Sequence, residues 1–233
     1  MSRKTAALAA LRGLFPGVEA GFGLAEAAEG GALCPGETAG TPGRVVPQRE
    51  VEFIAGRMAA RAAMADLGLP PQAVPRGADR APIWPEGLCG SLTHTGGLAL
   101  AVVMRQGAAS PGIDLEPAED LPPEVIPAIL TRAERLWAAR QPRPGLAARL
   151  VFVAKEAGYK AQYPLSRSLL GFQEAEFEPG GPGEFRLRLL RAAGPLPQGF
   201  TFGGRFSTSG EFLFAGALLP ALTQEGCPCS GAA

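Results

Sequence analysis

The sequence predicts an α+β protein in which helices and strands are mixed through both halves of the chain. Segments with apolar residues at helical spacing alternate with short runs of β-branched and aromatic residues bounded by Gly and Pro. Four such strand-like runs follow one another at the C-terminal end: FQEAEFE, EFRLRLLR, FTFGGRFS and FLFAGALL. With 233 residues, 46% of them hydrophobic, the chain is long and apolar enough to bury a sizeable core.

In chain order, the opening MSRKTAALAALRGLF lacks the apolar core and cleavage site of a secretory signal. Residues 26–47, rich in Gly, Ala and Pro, read as a surface loop. From Gln48 the spacing predicts a helix that places Val51, Ile54, Met58, Ala62 and Ala65 on one side. Gly68 and Pro70 end it. Arg57 and Arg61, four apart, share a face of that helix. VPRGADRAPIWPEGLCG is loop, broken by three prolines and three glycines. GSLTH and LALAVVM, joined by TGG, read as a strand pair, and PGIDLEP as a short strand. Helices are predicted over 123–130, 131–140 and 146–163, with Pro164 ending the last. Thr131 and Glu134 have the spacing of a capping box.

Lys+Arg and Asp+Glu both number 22, so the bulk charge gives no sign of a nucleic-acid or membrane surface. Any anion site must be local. No apolar run approaches the ~18 residues of a membrane span, and the expected compartment is the cytoplasm. Cys34, Cys89, Cys227 and Cys229 are too scattered for a disulfide framework, and with one histidine in the chain they do not supply a structural zinc site. The tail EGCPCSGAA reads as frayed. Ser91 is outside a G-x-S-x-G elbow, which argues against a hydrolase triad. No glycine pattern of the Walker or dinucleotide type opens a helix.

Four groups remain that carry chemistry. Asp114 and Glu116 are two apart on a strand and so leave it on the same face, about 7 Å apart along the strand. That pair is either a solvated face or a site for a hard cation such as Mg²⁺. Glu156 is a third carboxylate on a helix whose buried stripe is Leu150, Val153, Ala157 and Ala161. Glu156 and Lys160 are four apart, the spacing of a surface ion pair. His94 is either a turn residue or an anion contact at a strand end. Arg57, Arg61, Arg76 and Arg80 are ordinary surface arginines or, together, a grip for phosphates. Lys155 lies about 100° around the helix from Glu156, facing phosphate, a partner or solvent.

Taken together and in order, FIAGRMAARAAMADLG, RGADRAPIWPEGLCGSLTHTGG, GIDLEP and FVAKEAGYKAQYPL resemble the 4′-phosphopantetheinyl transferases. Within the larger, surfactin-type class, the likeness is to the enterobactin synthetase component D branch. It covers residues 48–165 in motif detail. The resemblance implies Mg²⁺-dependent transfer of the phosphopantetheine arm of coenzyme A to a serine of an apo acyl or peptidyl carrier protein, releasing adenosine 3′,5′-bisphosphate. It implies two similar α/β halves related by a pseudo-twofold, residues 1–110 and 111–233, forming one compact unit with the coenzyme in the cleft between them. Such a unit needs no second subunit, so a monomer is expected.

Residue by residue, the resemblance makes Asp114, Glu116 and Glu156 the metal carboxylates and places Asp114 and Lys160 against the coenzyme's phosphates. Thr93 and His94 contact the coenzyme. Arg57 and Arg61 match the family's basic helix segment, and Arg76 and Arg80 its basic loop. Glu156, with Glu116 second, is the expected general base for the serine hydroxyl. The branch is associated with siderophore and other nonribosomal peptide synthesis. Two alternatives stand beside the transferase: a non-catalytic carrier- or nucleotide-binding module on the same scaffold, and an Mg²⁺-dependent phosphohydrolase acting on coenzyme A.

Overall fold

A computed structural model describes residues 2–39, 46–107 and 109–221. Cys227, Cys229 and the tail read as frayed lie outside the described residues, as does part of the loop predicted over 26–47. The described chain is α+β, with two antiparallel sheets that each carry a long helix.

The first half begins with α1 (Arg3–Gly13), capped by the Ser2 hydroxyl, which accepts from the Thr5 amide at 3.2 Å. Strand β1 (Gly21–Glu26), a 3-10 turn (Ala27–Glu29) and α2 (Pro47–Asp66) follow. Strands β2 (Leu88–Thr95) and β3 (Leu98–Arg105) complete a three-stranded sheet ordered β1-β3-β2. Thr95 pairs with Leu98, leaving Gly96 and Gly97 at the turn with φ of 54° and 77°. Positive φ at both centres is what a two-residue turn matched to strand twist requires, so the predicted TGG hairpin forms.

Strand β4 (Ala109–Pro117) opens the second sheet. After it come α3 (Ile126–Ile129), α4 (Arg132–Ala138) and α5 (Pro144–Ser166), then β5 (Ala175–Pro179), β6 (Glu184–Leu189), β7 (Thr201–Ser209) and β8 (Phe212–Pro220), in sheet order β4-β8-β7-β6-β5. The capping box is present: the Thr131 hydroxyl accepts from the Glu134 amide at 3.3 Å, and the Glu134 carboxylate from the Thr131 amide at 2.7 Å. Pro164 does not end α5, which continues to Ser166 and stops at Arg167 in the left-handed region, φ 51°. A proline in the last turn forfeits only one intrahelical bond, so the helix runs past it.

Each long helix approaches its sheet through glycine. A Cβ at Gly21 or Gly23 of β1 would lie 1.9 Å from a carbonyl oxygen of α2, and one at Gly112 of β4 would lie 2.0 Å from the Ala157 carbonyl of α5. This close approach corrects the predicted buried face of α2. Ala55, Gly56, Ala59, Ala60, Ala63 and Met64 are buried, whereas Val51, Ala62 and Ala65 are exposed and Ile54 and Met58 only partly covered. Helix backbone pressed against strand backbone selects small side chains, so bulk does not mark the inner face. On α5 the predicted stripe of Leu150, Val153, Ala157 and Ala161 is buried.

Besides the core under each long helix, a third apolar cluster joins Leu11 and Phe15 with Leu98 and Leu100 of the first sheet and Ile113, Leu115 and Phe214 of the second. This shared cluster packs the two sheets together. Between them, the Ser91 hydroxyl of β2 accepts from the Ile113 amide of β4 at 3.0 Å. Among the described residues no helix is long and apolar enough to cross a membrane.

Candidate active site

A cleft of about 1450 Å³ opens beside the junction of β2 and β4, walled by α2, the loop over residues 76–86 and the C-terminal half of α5. Of the residues singled out from sequence, Arg57, Arg76, Arg80, Thr93, His94, Asp114 and Lys160 line it. Arg61, Glu116 and Glu156 do not. Arg49, which sequence reasoning passed over, lines the cleft about two turns before Arg57 on α2. Its position two turns before Arg57 on the same helix was the available signal.

Arg57 and Arg61 share a helix but have different partners. Arg61 Nη1 donates to both oxygens of Glu37, at 3.0 and 2.8 Å, and Nη2 to the Ala32 carbonyl at 2.7 Å. Glu37 also accepts from the amides of Cys34 and Val74. Arg61 therefore anchors the chain around residues 32–37 and is occupied outside the cleft. Arg57 is 6% exposed, lies 4.0 Å over the Phe53 ring, and has a buried Nε without a hydrogen-bond partner among the described residues. Burial, reinforced by Arg76 and Arg61 and opposed by Glu37, lowers its pKa to about 10. It is a buried cation without an ion-pair partner, facing a cleft, an arrangement that favours an anionic ligand. Arg49 and Arg80 likewise make no ion pair among the described residues, and Arg76 donates to the Ala39 carbonyl at 2.8 Å.

Asp114 occupies the floor of the cleft. Its Oδ1 accepts from Thr93 Oγ1 at 3.0 Å and from Lys160 Nζ at 2.7 Å, while Oδ2 is buried without a partner. Lys160 thus reaches across to β4, and the i,i+4 ion pair with Glu156 is not made. A salt bridge to a carboxylate that also holds a hydroxyl wins over an exposed helical pair of small benefit. Glu116, on the same strand face as Asp114, meets Arg149 Nη1 at 3.5 Å. Its carboxyl pKa is raised by burial first, then by the Asp114 charge, with Glu156 adding to the rise. Glu156 is raised by burial, with Lys160 opposing and Asp114 adding. Glu156 lines a separate, narrow cavity of about 170 Å³ with Leu170, Phe172, Leu187 and Phe202. Tyr159 lines both spaces.

Among the described residues no three His, Cys, Asp or Glu side chains are gathered closely enough to form a metal shell. The donor set nevertheless suits a hard cation. The Oδ2 of Asp114 is buried with a lone pair free for a cation, and Glu116 and Glu156, whose pKa values are raised by burial first and by the Asp114 charge second, lie near enough to feel that charge.

His94 is exposed at its ring, with Nδ1 3.7 Å from Glu52 Oε2. Burial lowers its pKa below the ordinary imidazole value, with Glu52 opposing. Lys155 faces none of the three environments considered from sequence. It is buried, and its ammonium donates to Glu134 Oε2 at 2.7 Å, the Ile129 carbonyl at 2.9 Å and the Phe172 carbonyl at 2.6 Å. All three of its protons are used inside the protein.

The chain resembles known proteins in both of its halves. Residues 42–104 match the family described as the 4′-phosphopantetheinyl transferase N-terminal domain, and residues 110–202 match the 4′-phosphopantetheinyl transferase superfamily. The chain is 42% identical to the 4′-phosphopantetheinyl transferase Svp of Streptomyces mobaraensis over 81% of this chain and 80% of that protein. It is 44% identical to PptT of Mycobacterium tuberculosis over 70% of this chain and 76% of that protein. With the enterobactin synthase component D of Salmonella typhi it shares 39% identity over 62% of this chain and 61% of that protein. Two family matches, one in each half of the chain, and relatives this similar over most of their length show that the chain belongs to the 4′-phosphopantetheinyl transferase superfamily, in the branch of enterobactin synthase component D.

Proposed function

We propose that this enzyme transfers the 4′-phosphopantetheine arm of coenzyme A to a serine hydroxyl of an apo acyl or peptidyl carrier protein, with Mg²⁺ at the Asp114 carboxylate. The observation that carries the proposal is the pairing, in one cleft, of the buried cation Arg57 with the orphaned anion Asp114 Oδ2. A ligand that brings both phosphate and a divalent cation satisfies the two at once.

The groups divide the work by chemistry. Arg49, Arg57, Arg76 and Arg80 bind the coenzyme's phosphates, with the His94 ring as a hydrogen-bonding group beside them. Lys160 is a point charge between Asp114 and the pyrophosphate. Asp114, Glu116 and Glu156 would hold the Mg²⁺, which when bound supplies charge neutralisation at the pyrophosphate. The pantetheine arm leaves the phosphates past Tyr159 into the narrow apolar cavity. The carrier's serine oxygen forms a bond to the phosphorus bearing that arm, and the bond from this phosphorus to the bridging oxygen breaks. The leaving adenosine 3′,5′-bisphosphate takes the electron pair. Glu156 receives the serine proton, directly or through one water, and its raised pKa brings it nearer the value a base needs at neutral pH. Both halves that wall the cleft belong to one chain, so the proposed acting unit is a monomer. Incubation with coenzyme A, Mg²⁺ and an apo carrier, followed by the carrier's mass, tests the proposal.

The metal assignment has a separate, pH-dependent readout. Glu116 and Glu156 have folded pKa values above their ordinary 4.5, so the folded protein holds their protons more tightly than the unfolded chain does. Their contribution to stability is therefore greatest below about pH 4.5 and is lost as pH rises through the folded values. Mg²⁺ binds the deprotonated carboxylates and offsets that loss. Saturating Mg²⁺ is expected to raise the thermal midpoint by about 5 °C at pH 8 and by progressively less toward pH 5. Asp114→Asn should remove the effect. An equal rise at both pH values, or one that survives Asp114→Asn, would count against these ligands.

A further inference from the structure

The loop over residues 76–82 carries Arg76 and Arg80 and is bonded to itself. The Gly77 amide donates to the Ala81 carbonyl at 2.8 Å, the Arg80 amide to the Gly77 carbonyl at 2.9 Å, and the Ala81 amide to Asp79 Oδ1 at 3.1 Å. Its shape is thus fixed locally. Its tie to the second half of the chain is a single side chain: Asp79 Oδ2 accepts from Tyr163 Oη at 2.9 Å and from Arg167 Nη1 at 3.1 Å. Among the described residues no other hydrogen bond joins this loop to that half.

Two further features converge on the same contact. Tyr163 is stacked on Tyr159 with ring centroids 5.6 Å apart, and the Arg167 guanidinium lies 5.7 Å from the centre of the Tyr163 ring. Arg80 and Arg167 are the two non-glycine residues with positive φ among the described residues, at 69° and 51°. Such a backbone is costly for a side-chain-bearing residue and persists where surrounding contacts over-determine it. Here one such residue sits on each side of the Asp79 contact, and Asp79, Arg80, Tyr163 and Arg167 all line the cleft.

We infer that Asp79, Tyr163 and Arg167 form a latch across the cleft that sets the position of the loop, and with it the reach of Arg76 and Arg80 toward a phosphorylated ligand. The three are positioning residues. This deepens the transferase reading and rests on it for the identity of the ligand. The latch holds the loop that carries Arg76 and Arg80, so its effect is expected on binding of coenzyme A, with KM for the carrier as the comparison.

The test compares the wild type, Tyr163→Phe, Asp79→Ala and the double variant. Tyr163→Phe removes one donor and keeps the ring stack. Each single variant should raise KM for coenzyme A about three- to tenfold, with KM for the carrier unchanged. The double variant should be no worse than Asp79→Ala, because Asp79→Ala already removes the acceptor through which the Tyr163 hydroxyl acts. An unchanged KM for coenzyme A, additive effects in the double variant, or parallel changes in both KM values with a lowered thermal midpoint would each overturn the latch. Titration of coenzyme A into the four proteins by calorimetry gives the same comparison without catalysis. If the wild type binds coenzyme A but loads no carrier, the transferase reading fails and the Kd values still decide the latch.

Discussion

Replacing Glu156 by glutamine is expected to lower transfer to the carrier by at least about a hundredfold, the lower end of what a positioned general base contributes. Gln keeps the shape and the hydrogen-bonding capacity of the side chain but removes the proton acceptor. Glu156 is half-buried on α5 with its pKa raised by burial, so loss of its charge also removes repulsion toward Asp114. The fold should therefore hold, with a thermal midpoint at or above that of the wild type. Near-normal transfer by a folded Glu156→Gln protein would place the base elsewhere, and Glu116→Gln is then the variant to examine. The kcat is the quantity to follow, since a base acts in the transition state and leaves ground-state binding of coenzyme A in place.

Lys155, the neighbour of Glu156, should behave in the opposite way. Lys155→Ala leaves Glu134 buried without its cation and two backbone carbonyls without a donor, a change expected to cost about 3–5 kcal/mol of stability. For a chain of this size that is a fall of roughly 10 °C in thermal midpoint. Lys155→Arg should not restore it, because a planar fork cannot direct three donors from one nitrogen toward Glu134, Ile129 and Phe172. Protein that remains folded should keep its kcat. Urea denaturation of both variants measures the first effect, and a loss under about 1 kcal/mol for Lys155→Ala would show that the buried pair matters less than its geometry implies. Two adjacent residues of one motif thus separate into a chemical role and a structural one.

The elements that the sequence made legible are those whose signal is local. The α5 stripe, the Gly96-Gly97 hairpin turn, the Thr131–Glu134 cap and the four terminal strands each depend on residues within one element. Strand β1 was invisible because Gly21 and Gly23 lower its strand signal, and the reason for those glycines lies in α2, about forty residues on. The same contact hid the inner face of α2, where alanine marks burial better than bulk does. Pro164 reads as a stop from sequence because the rule for proline is strongest inside a helix and weakest in its last turn.

In the site, type and spacing identified the acids and cations but not their partners. Asp114, Thr93 and Lys160 come together from β2, β4 and α5, and the sequence gives no measure of that distance. Arg61 looked equivalent to Arg57 from their four-residue spacing, yet Glu37 takes it away from the cleft. Lys155 depends on Ile129, Glu134 and Phe172, which are 17 to 26 residues distant in sequence. Periodicity places a side chain on a face of its helix, and only the tertiary fold decides what that face meets.

The most direct test of the account is the mass of an apo carrier protein after incubation with the enzyme, coenzyme A and Mg²⁺. The account predicts a gain of about 340 Da on the carrier's serine, the size of the transferred arm, and no gain when Mg²⁺ is chelated. Binding of coenzyme A with no mass change on any apo carrier, or cleavage of coenzyme A with no carrier present, would contradict it.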